Sequence, residues 1–497
     1  MRTGDAGRPR RMAGAIRAAL VLLCAFLLGN SDRIPGTLIF LPGTQPGTAD
    51  TVEAGGVSAC GSCHSASPSR EVAISGWWAG SMMAHSARDP VFHAALAVAN
   101  KYSTLTGENT GEFCIRCHSP TGWLAGRSED VTAGSLRGTD LDGVQCDYCH
   151  RIVDPLDPDS TVPPSLFPVP GYGNGMHVVQ ASGDVKRGPR DGSAAPHGAV
   201  PDSFQSSSSL CGICHDVSNP FLTTGQERIF LAPHAYAPME RTYSEWLMSS
   251  FSSEGEAATC QGCHMGNVAG FAASIPSAPE RSDVKAHDLT GGNTFVPAIL
   301  GEFWPGLDTV LLGRGADRAR ATLRRAASLT GEAVRAPGSV TARIRITNLT
   351  GHKLPTGYPE GRRMWLSLTA ADSLGRIVYR SAAYDASSAE LVADTAARIY
   401  EAVHGLTDSA AARYGLPPGP SFHFSLNDTI LFDNRIPPRG FTNAGFAGRY
   451  GLANTMRARA RPRTRGSSGA TTTSGTGSGR PRNAKKRRGS ARNSGVQ

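Results

Sequence analysis

The sequence predicts an α+β protein in which an irregular, mainly helical part is followed by a β-sandwich of the immunoglobulin-like kind. The chain has 497 residues, and its 58 Gly, 33 Pro and charged fraction of 18% are typical of a loop-rich globular protein. Short cysteine-containing motifs recur in the first part, and apolar and polar residues alternate in the second. No apolar run reaches the roughly 18 residues that a membrane-spanning helix needs, which excludes a polytopic membrane protein.

The charge of the chain is concentrated at its ends. Residues 456–497 contain ten Arg and two Lys and no acid, and residues 1–30 contain five Arg and one Asp. Because the whole chain carries +9, the part between these ends carries −7. A mildly acidic body gives no reason to expect a nucleic-acid partner.

The N-terminal residues 1–30 are predicted to be a signal peptide or an N-terminal anchor. Five arginines precede the apolar segment 18–28, which is too short to span a bilayer as a helix. No clean A-x-A site follows, so cleavage stays open, and an uncleaved N-terminus would associate the protein with a membrane. We therefore expect a periplasmic or extracytoplasmic location. Residues 31–57, which contain Pro35, Pro42 and Pro46, are predicted to be a linker or an extended arm.

Ten of the eleven cysteines fall into five C-x-x-C-H motifs. These are Cys60/Cys63/His64, Cys114/Cys117/His118, Cys146/Cys149/His150, Cys211/Cys214/His215 and Cys260/Cys263/His264. Two thiols at this spacing add to the two vinyl groups of one haem, and the histidine that follows is its proximal iron ligand. Zinc sites, redox dithiols and disulfides also use C-x-x-C, but none of them requires a histidine after every pair. The sequence thus predicts five covalently attached haem c groups.

The motifs define a pentahaem domain over residues 58–305. The five motifs occupy only the 205 residues from Cys60 to His264, so we expect the porphyrins themselves to form much of the hydrophobic core. A helix is predicted over Asp89 to Asn100, where Pro90 lies in the first turn before an Ala-rich run.

Residues 306–455 are predicted to form the β-sandwich domain. A helical segment at Ala316 to Leu329 precedes alternating segments at 340–346 and 364–369, a turn at Asp372 to Gly375 and a strand at Ile377 to Tyr379. A further strand is predicted over 422–426.

Several segments of the chain resemble one subgroup of the bacterial multihaem c-type cytochromes, related to the tetrahaem cytochrome of nitrification. They are FCIRCHSP (113–120), GVQCDYCHRIVDP (143–155), CGICHDVSNP (211–220), ERTYSEW (240–246), TGHKLPTGYPEGRRMW (350–365) and DNRIPPRGF (433–441). The resemblance covers about residues 58–447 and implies electron transfer outside the cytoplasm. It identifies neither donor nor acceptor, and other cytochromes or a membrane redox complex are the expected partners. The basic tail 456–497 departs from the family pattern and is predicted to be disordered; a genuine basic arm and a frame-shifted gene end both stay open.

The sixth iron ligands are less certain from the sequence than the proximal ones. The favoured distal histidines are His85, His197, His287 and His352, because each lies near a motif or in a Gly-rich turn. The other histidines outside the motifs are second-choice candidates for distal ligands; they are His93, His177, His234, His404 and His423. Met82 and Met83 are rival ligands for the first haem.

Three classes of function stay open. The first is an electron carrier with six-coordinate haems, and the second is an enzyme that acts on a small nitrogen or sulfur compound at one five-coordinate haem. The third is a non-catalytic subunit of a larger redox complex. The sequence favours the carrier, because it has no C-x-x-C-K motif and offers nine histidines for at most five distal positions.

Overall fold

A computed structural model describes most of the chain between residues 40 and 450. The described ranges are 40–48, 56–65, 73–162, 168–191, 195–219, 237–255, 258–392 and 394–450. The predicted signal segment 1–30, the basic tail 456–497 and His234 lie outside them. Within the described ranges, no helix is both long and apolar enough to cross a membrane.

The helices of the N-terminal part are short. They are α1 (Gly56–His64), α2 (Ile74–Ala79), α3 (Pro90–Lys101), α4 (Ser103–Thr106), α5 (Thr110–His118), α6 (Pro120–Leu124), α7 (Cys146–Cys149), α8 (Ser208–Gly212), α9 (Thr242–Leu247) and α10 (Cys260–His264). Single turns of 3₁₀ helix occupy Met83–His85, Gly138–Asp142, Ser203–Ser206 and Ser250–Ser253. Every motif begins on one of these helices, which places its two thiols on one helical face, because residues three apart are neighbours there. The helix predicted after Asp89 is confirmed as α3, and the Asp89 carboxylate accepts the Val91 amide proton at 2.8 Å.

The strands of this part form two-stranded ribbons between the motifs. They are β1 (Ile152–Val153) with β2 (Val178–Val179), β3 (Val185–Gly188) with β4 (Gly198–Pro201), β5 (Val217–Asn219) with β6 (Ala237–Glu240), and β7 (Asn267–Phe271) with β8 (Glu280–Lys285). All pairs are antiparallel except β3 with β4. Strands β1, β5 and β7 begin shortly after the third, fourth and fifth motifs, so their ribbons fix the chain as it leaves those three motifs.

The main hydrophobic cluster is built from the motifs themselves. Ile115, Tyr148 and Ile213, each an internal residue of a C-x-x-C-H motif, are buried at its centre, and motif cysteines pack against it. Residues 40–48 pack against this part of the chain, and Leu41, which is only 1% exposed, belongs to a second hydrophobic cluster. The core therefore lies where the motifs converge, as the small number of residues per motif predicts.

The C-terminal part begins with two helices and continues mainly as strands. Its helices are α11 (Val296–Phe303), α12 (Thr309–Ala326), α13 (Asp408–Tyr414) and α14 (Asn443–Tyr450), with a 3₁₀ turn at Pro359–Gly361. Its strands are β9 (Ala327–Ala336), β10 (Ser339–Asn348), β11 (Met364–Leu366), β12 (Leu368–Ala371), β13 (Ile377–Ser381), β14 (Tyr384–Asp385), β15 (Glu390–Leu391), β16 (Arg398–Tyr400), β17 (Ala402–Leu406), β18 (Gly419–Pro420) and β19 (Thr429–Asp433). The α+β class is thus confirmed.

The immunoglobulin-like sandwich is not confirmed. In the described part of the chain, the strands form separate sheets: β9 with β10, β11 with β16, β12 with β13, β14 with β15, and the three-stranded sheet β18-β17-β19. The long β9–β10 hairpin keeps Val334 and Val340 60% and 67% exposed, so no second sheet of the described residues covers it there. Alternation predicts strands correctly here, but the pairing of strands into two facing layers depends on contacts that alternation does not encode.

Two local predictions in this part are wrong. The helix ends at Ala326, and the residues up to Leu329 start strand β9, because they pair in register with β10. The strand predicted over 422–426 is a turn in which the Asn427 amide donates to the His423 carbonyl at 3.1 Å. The strand lies immediately after it, at β19.

Candidate haem sites

Each motif histidine has an oxygen acceptor close to its Nδ1 atom. The acceptors are the carbonyls of Ala272 for His64 (2.7 Å), Ser86 for His118 (3.3 Å), Arg187 for His150 (2.6 Å) and Thr290 for His264 (2.8 Å), and the Glu240 carboxylate for His215 (3.3 Å). An Nδ1–H that donates to an oxygen fixes the tautomer and leaves the Nε2 lone pair free. All five side chains are therefore arranged to bind a metal through Nε2. We refer to the five motifs, in chain order, as sites 1 to 5.

Two distant histidines lie opposite motif histidines. The rings of His150 and His287 have centroids 6.3 Å apart and planes 28° apart. Those of His264 and His352 have centroids 6.4 Å apart and planes 18° apart. Two of the four favoured distal histidines are thus brought to a motif, His287 to site 3 and His352 to site 5.

The spacing of these pairs fits iron coordination. Two imidazole nitrogens that each bind one metal at about 2 Å are about 4 Å apart, and the ring centroids lie roughly 2 Å further apart in total. The observed separations of 6.3 and 6.4 Å match this sum. Burial lowers the pKa of His287 to about 4, which keeps the ring neutral, the form that binds metal. The residues present therefore fit bis-histidine haem at both sites.

The sulfur atoms of different motifs contact one another. Cys60 of site 1 shares a hydrogen bond with Cys146 of site 3, Cys117 of site 2 with Cys214 of site 4, and Cys211 of site 4 with Cys260 of site 5. These contacts lower the pKa of Cys60 and of Cys260 to about 7. Cys149 of site 3 lies close enough to Cys211 to raise its pKa further. The sites therefore form one connected series, 1–3–4–5, with site 2 beside site 4.

Cys63 of site 1 lies outside the main hydrophobic cluster. Cys114, Cys149 and Cys214 pack against the main cluster, whereas the Cys63 thiol is half-buried and accepts a hydrogen bond from Ser62 Oγ at 3.8 Å on the exposed side of α1. Its backbone is held by the Ser274 amide, which donates to the Cys63 carbonyl at 2.9 Å.

The composition of the motif explains this position of Cys63. The two residues between its cysteines are Gly61 and Ser62, which supply little apolar area to bury, whereas motifs 2 to 4 have Ile115, Tyr148 and Ile213 there. The role of Cys63 in attaching the haem of site 1 stays a prediction.

A buried arginine and a glycine lie against site 2. Arg116, within the second motif, is fully buried, donates from Nε to the Gly175 carbonyl at 2.7 Å and lies over the Trp123 ring at 4.4 Å. Gly175 has a φ of +63°, and a Cβ there would lie 2.9 Å from the Cys117 sulfur. Glycine is thus required both for the backbone conformation and for the close approach to an attachment cysteine.

The His352 segment is held by a buried ionic cluster that joins the two parts of the chain. Glu245, in helix α9, pairs with Arg435 at 2.9 Å and accepts the Lys353 amide proton at 3.0 Å. Lys353 Nζ in turn donates to Asp433 at 2.8 Å, and Arg435 Nη2 contacts the same carboxylate at 2.9 Å. We call these four residues, Glu245, Lys353, Asp433 and Arg435, the ionic cluster. It fixes the backbone next to His352.

The other two favoured distal histidines are placed differently. His85 is buried, and its Nε2 lies 2.9 Å from the Ala79 carbonyl. His197 is exposed, with Nδ1 3.0 Å from the Gly198 carbonyl. The ring contacts of the described residues bring neither of them to a motif histidine, and their role as ligands stays a prediction.

His177, a second-choice candidate, is better placed than His197. It is fully buried, its Nδ1 lies 3.1 Å from the Tyr148 hydroxyl, and its Nε2 has no hydrogen-bond partner among the described residues. His404 also has an orphaned Nε2 among these residues, but its Nδ1 faces Glu360 at 3.7 Å in the C-terminal part. A buried, unpaired imidazole nitrogen is costly unless something binds it, so His177 is a further candidate ligand.

Sequence reasoning missed the acidic and basic residues that support these sites. Glu240 and Glu245 lie in ERTYSEW, and Arg435 lies in DNRIPPRGF, two segments that carry the family resemblance. The sequence signal that could have identified them is the presence of charged residues within short segments whose other residues are mainly uncharged. All ten motif thiols are free of disulfides, and no cluster of three or more His, Cys, Asp or Glu side chains in the described ranges could hold a metal ion by itself.

Comparisons with known proteins agree with the motif chemistry. The model of the family "Cytochrome c554 and c-prime" matches residues 59–151, which include sites 1, 2 and 3. Among solved structures, the chain is similar to a penta-heme cytochrome c552 from Thermochromatium tepidum, with 18% identity over 76% of this chain and 85% of that chain and a TM-score of 0.45. No curated protein matches significantly. The predicted resemblance to multihaem c-type cytochromes is confirmed, as is haem c as the cofactor type; the relation to the nitrification cytochrome stays a prediction.

Proposed function

We propose that this protein binds five haem c groups in one connected series and carries electrons between redox proteins outside the cytoplasm. The convergence of the motifs carries the proposal: Cys114, Cys149 and Cys214 pack against one hydrophobic cluster, and the Cys260 amide donates to Ser208 Oγ, beside the fourth motif, at 3.0 Å. Haem groups attached to these motifs would therefore be neighbours. A connected series of sites is what a carrier needs and an isolated active site does not.

The chain's own residues hold and tune each site. The cysteine pairs would attach the cofactor, and the motif histidines, oriented by their Nδ1 acceptors, would each offer Nε2 to its iron. His287 and His352 would hold the iron from the opposite side at sites 3 and 5, which would leave no place there for a substrate. When bound, haem c supplies reversible one-electron exchange at its iron.

Location and partners follow from the same chemistry. Covalent haem attachment and the predicted export segment at 1–30 support a periplasmic or extracytoplasmic site, with membrane association if that segment is retained. The partners would be other cytochromes or a membrane redox complex, and a role as a non-catalytic subunit of such a complex is compatible with this proposal.

A haem count with electron paramagnetic resonance tests the proposal. Purified, matured protein is expected to contain five haem groups per chain, with the signals of sites 3 and 5 low-spin. A count below five, or high-spin signals at both of these sites, would contradict it.

One observation favours the second candidate function, a haem enzyme. Among the five motif histidines, His215 alone faces a carboxylate, Glu240. A carboxylate makes the imidazole a stronger donor, which favours the activation of a small nitrogen or sulfur compound at a haem iron that it would hold. A high-spin signal that shifts when nitrite or hydroxylamine is added, and that disappears in His215→Ala, would establish this function.

A further inference from the structure

Helix α12 (Thr309–Ala326) has one buried face and one face rich in arginine. Leu312, Gly315, Ala316 and Ala319 are buried. Arg314, Arg320, Arg324 and Arg325 are exposed, and at 100° per residue they fall within one side of the helix. We call these four residues the arginine face. The helix contains a single acid, Asp317, which pairs with Arg320 at 2.7 Å.

Helix stability explains only part of this pattern. Arginines in the last turn interact favourably with the helix dipole, which accounts for Arg324 and Arg325. Arg318 points inward, where it donates to the Trp77 carbonyl at 3.3 Å and lies 3.7 Å from Asp288. Arg320 pairs with Asp317 three residues before it, which stabilises the helix, but none of these roles applies to Arg314. Both arginines are exposed on a body whose net charge is negative.

The arginine face borders site 5. A Cβ on Gly292 would lie 2.9 Å from Leu323 of α12, and two residues before that glycine the Thr290 carbonyl accepts from His264 Nδ1 at 2.8 Å. Arg324 and Arg325 follow Leu323 directly in α12, so this end of the arginine face lies next to site 5. Cys263 of site 5 is exposed, whereas the other nine motif cysteines are partly buried. Cys263 is thus the most exposed of the motif cysteines, and the C-terminal end of the arginine face lies near its site.

We propose that the arginine face docks the acidic surface of a small redox protein, which delivers electrons to the protein at site 5. The proposal rests on the carrier function proposed above. In the transfer, the partner's reduced cofactor is oxidised by one electron and the ferric iron at site 5 becomes ferrous, with no bond formed or broken. Opposite charges steer two proteins together and orient them, and their on-rate falls as salt rises. The net charge of −7 between the two basic ends would favour basic partners overall, so the local charge at the exposed site decides the partner's chemistry here.

The test compares two variants of the full, haem-loaded protein that lose the same charge. The first is Arg314→Gln/Arg320→Gln/Arg324→Gln/Arg325→Gln. The control is Arg343→Gln/Arg345→Gln/Arg380→Gln/Arg398→Gln, which changes four exposed arginines of strands β10, β13 and β16. The probe is a small acidic ferredoxin. Its binding is measured by calorimetry at low and at physiological salt, and its electron transfer is measured by stopped-flow absorbance.

We expect the first variant to bind the ferredoxin about tenfold more weakly at low salt and with a flatter salt dependence, whereas the control binds like the wild type. Equal weakening in both variants would overturn the proposal, because net charge alone would then explain binding. Failure of the wild type to bind the ferredoxin, with binding to phosphatidylglycerol vesicles that the first variant loses, would also overturn it in favour of a membrane surface.

A small neutral reductant separates this proposal from the carrier function. If the wild type cannot be reduced by it, the carrier function fails, and the calorimetric comparison still decides the docking. If both variants are reduced by it at the wild-type rate, slower reduction of the first variant by ferredoxin is a docking defect and supports the proposal.

Discussion

The imidazole rings of His264 and His352 lie nearly parallel, 18° apart, with their centroids separated by 6.4 Å. His264 ends helix α10 of the N-terminal part, and His352 lies in a turn of the C-terminal part. Site 5 is therefore shared between the two parts of the chain. The C-terminal part has no C-x-x-C-H motif, but it contributes the residue that would complete the iron coordination of one site.

The first prediction concerns the two histidine pairs. Replacing His287 or His352 with alanine removes one axial nitrogen, so we expect one low-spin haem per chain to become high-spin in each variant. Electron paramagnetic resonance and near-infrared magnetic circular dichroism measure the change. His197→Ala is compared with them, because His197 is exposed and is also a predicted ligand; a low-spin haem that becomes high-spin in this variant would assign it as a ligand as well. Unchanged spectra in both His287→Ala and His352→Ala would reject the paired geometry.

The second prediction concerns the ionic cluster. Glu245→Gln removes one of the two carboxylate partners of the buried Arg435 and leaves Asp433 as the other, so we expect a cost of up to about 3 kcal/mol, the lower end of what breaking a buried ion pair costs. The loss should appear in the free energy of unfolding and as a new high-spin fraction at site 5, because the backbone beside His352 loosens. Glu254→Gln is the control, since its pair with Arg439 is exposed. A destabilised variant with a fully low-spin site 5 would show that the cluster stabilises the fold without positioning His352.

The third prediction concerns pH. Burial raises the pKa of Asp433, but the charges of Lys353 and Arg435 outweigh it and hold that pKa well below its usual value. A depressed carboxyl pKa contributes stability that is fully present above the unfolded-state pKa of about 4 and is lost as the pH falls through the folded-state value. Asp433→Asn should therefore be most destabilising near pH 7, and its difference from the wild type should shrink below about pH 4.

Denaturant titrations between neutral and acidic pH measure this difference. Asp372→Asn is the control, because its partner Arg376 is on an exposed turn and screening leaves such pairs weak. A difference for Asp433→Asn that stays constant across the range would contradict the pH argument.

The fourth prediction uses two glycines with the same backbone conformation. Gly175 and Gly107 have φ values of +63° and +73°, but a Cβ at Gly175 would lie 2.9 Å from the Cys117 sulfur, whereas a Cβ at Gly107 would meet nothing within 4 Å among the described residues. Both alanine variants incur the same conformational strain, about 1 kcal/mol. Gly175→Ala should in addition reduce haem attachment at site 2, seen as loss of one haem mass in intact-protein mass spectrometry. An equal haem content in both variants would show that the sulfur can shift.

The sequence predicts attachment chemistry better than spatial arrangement. The five motifs identify ten cysteines and five histidines because covalent haem attachment fixes their spacing locally. The pairing of His352 with His264 depends on a turn held by residues from three distant segments, and no local pattern encodes that. His287 and His352 were predicted from their closeness to a motif and to a Gly-rich turn; the same criteria also favoured His197, which is exposed.

The same contrast separates the two parts of the fold. Helix α3 follows from Asp89 and Pro90, because capping is a local effect. The strands of the C-terminal part follow from alternation, but Leu329 belongs to a strand although its neighbours favour a helix, since pairing with Ile346 decides the outcome. Whether such strands then stack into a sandwich depends on the apolar area that the remaining chain can cover, which alternation does not report.

The last prediction concerns the carboxylate at site 4. Glu240 faces His215 Nδ1 at 3.3 Å and is anchored by the Thr242 hydroxyl at 3.0 Å, whereas the other four motif histidines face backbone carbonyls. A carboxylate makes the imidazole a stronger donor, which stabilises ferric iron and lowers the reduction potential of that haem.

The variant Glu240→Gln keeps the shape of the side chain and removes its charge. Spectroelectrochemical titration should then show one midpoint potential raised by on the order of 60 mV, which is a tenfold change in the equilibrium constant of a one-electron couple. The other midpoint potentials should not change. Glu254→Gln removes the same charge from an exposed position and should shift none of them. A uniform shift of all the potentials in Glu240→Gln would mean that the carboxylate acts through its long-range field, and no shift would mean that it does not act on His215 at all.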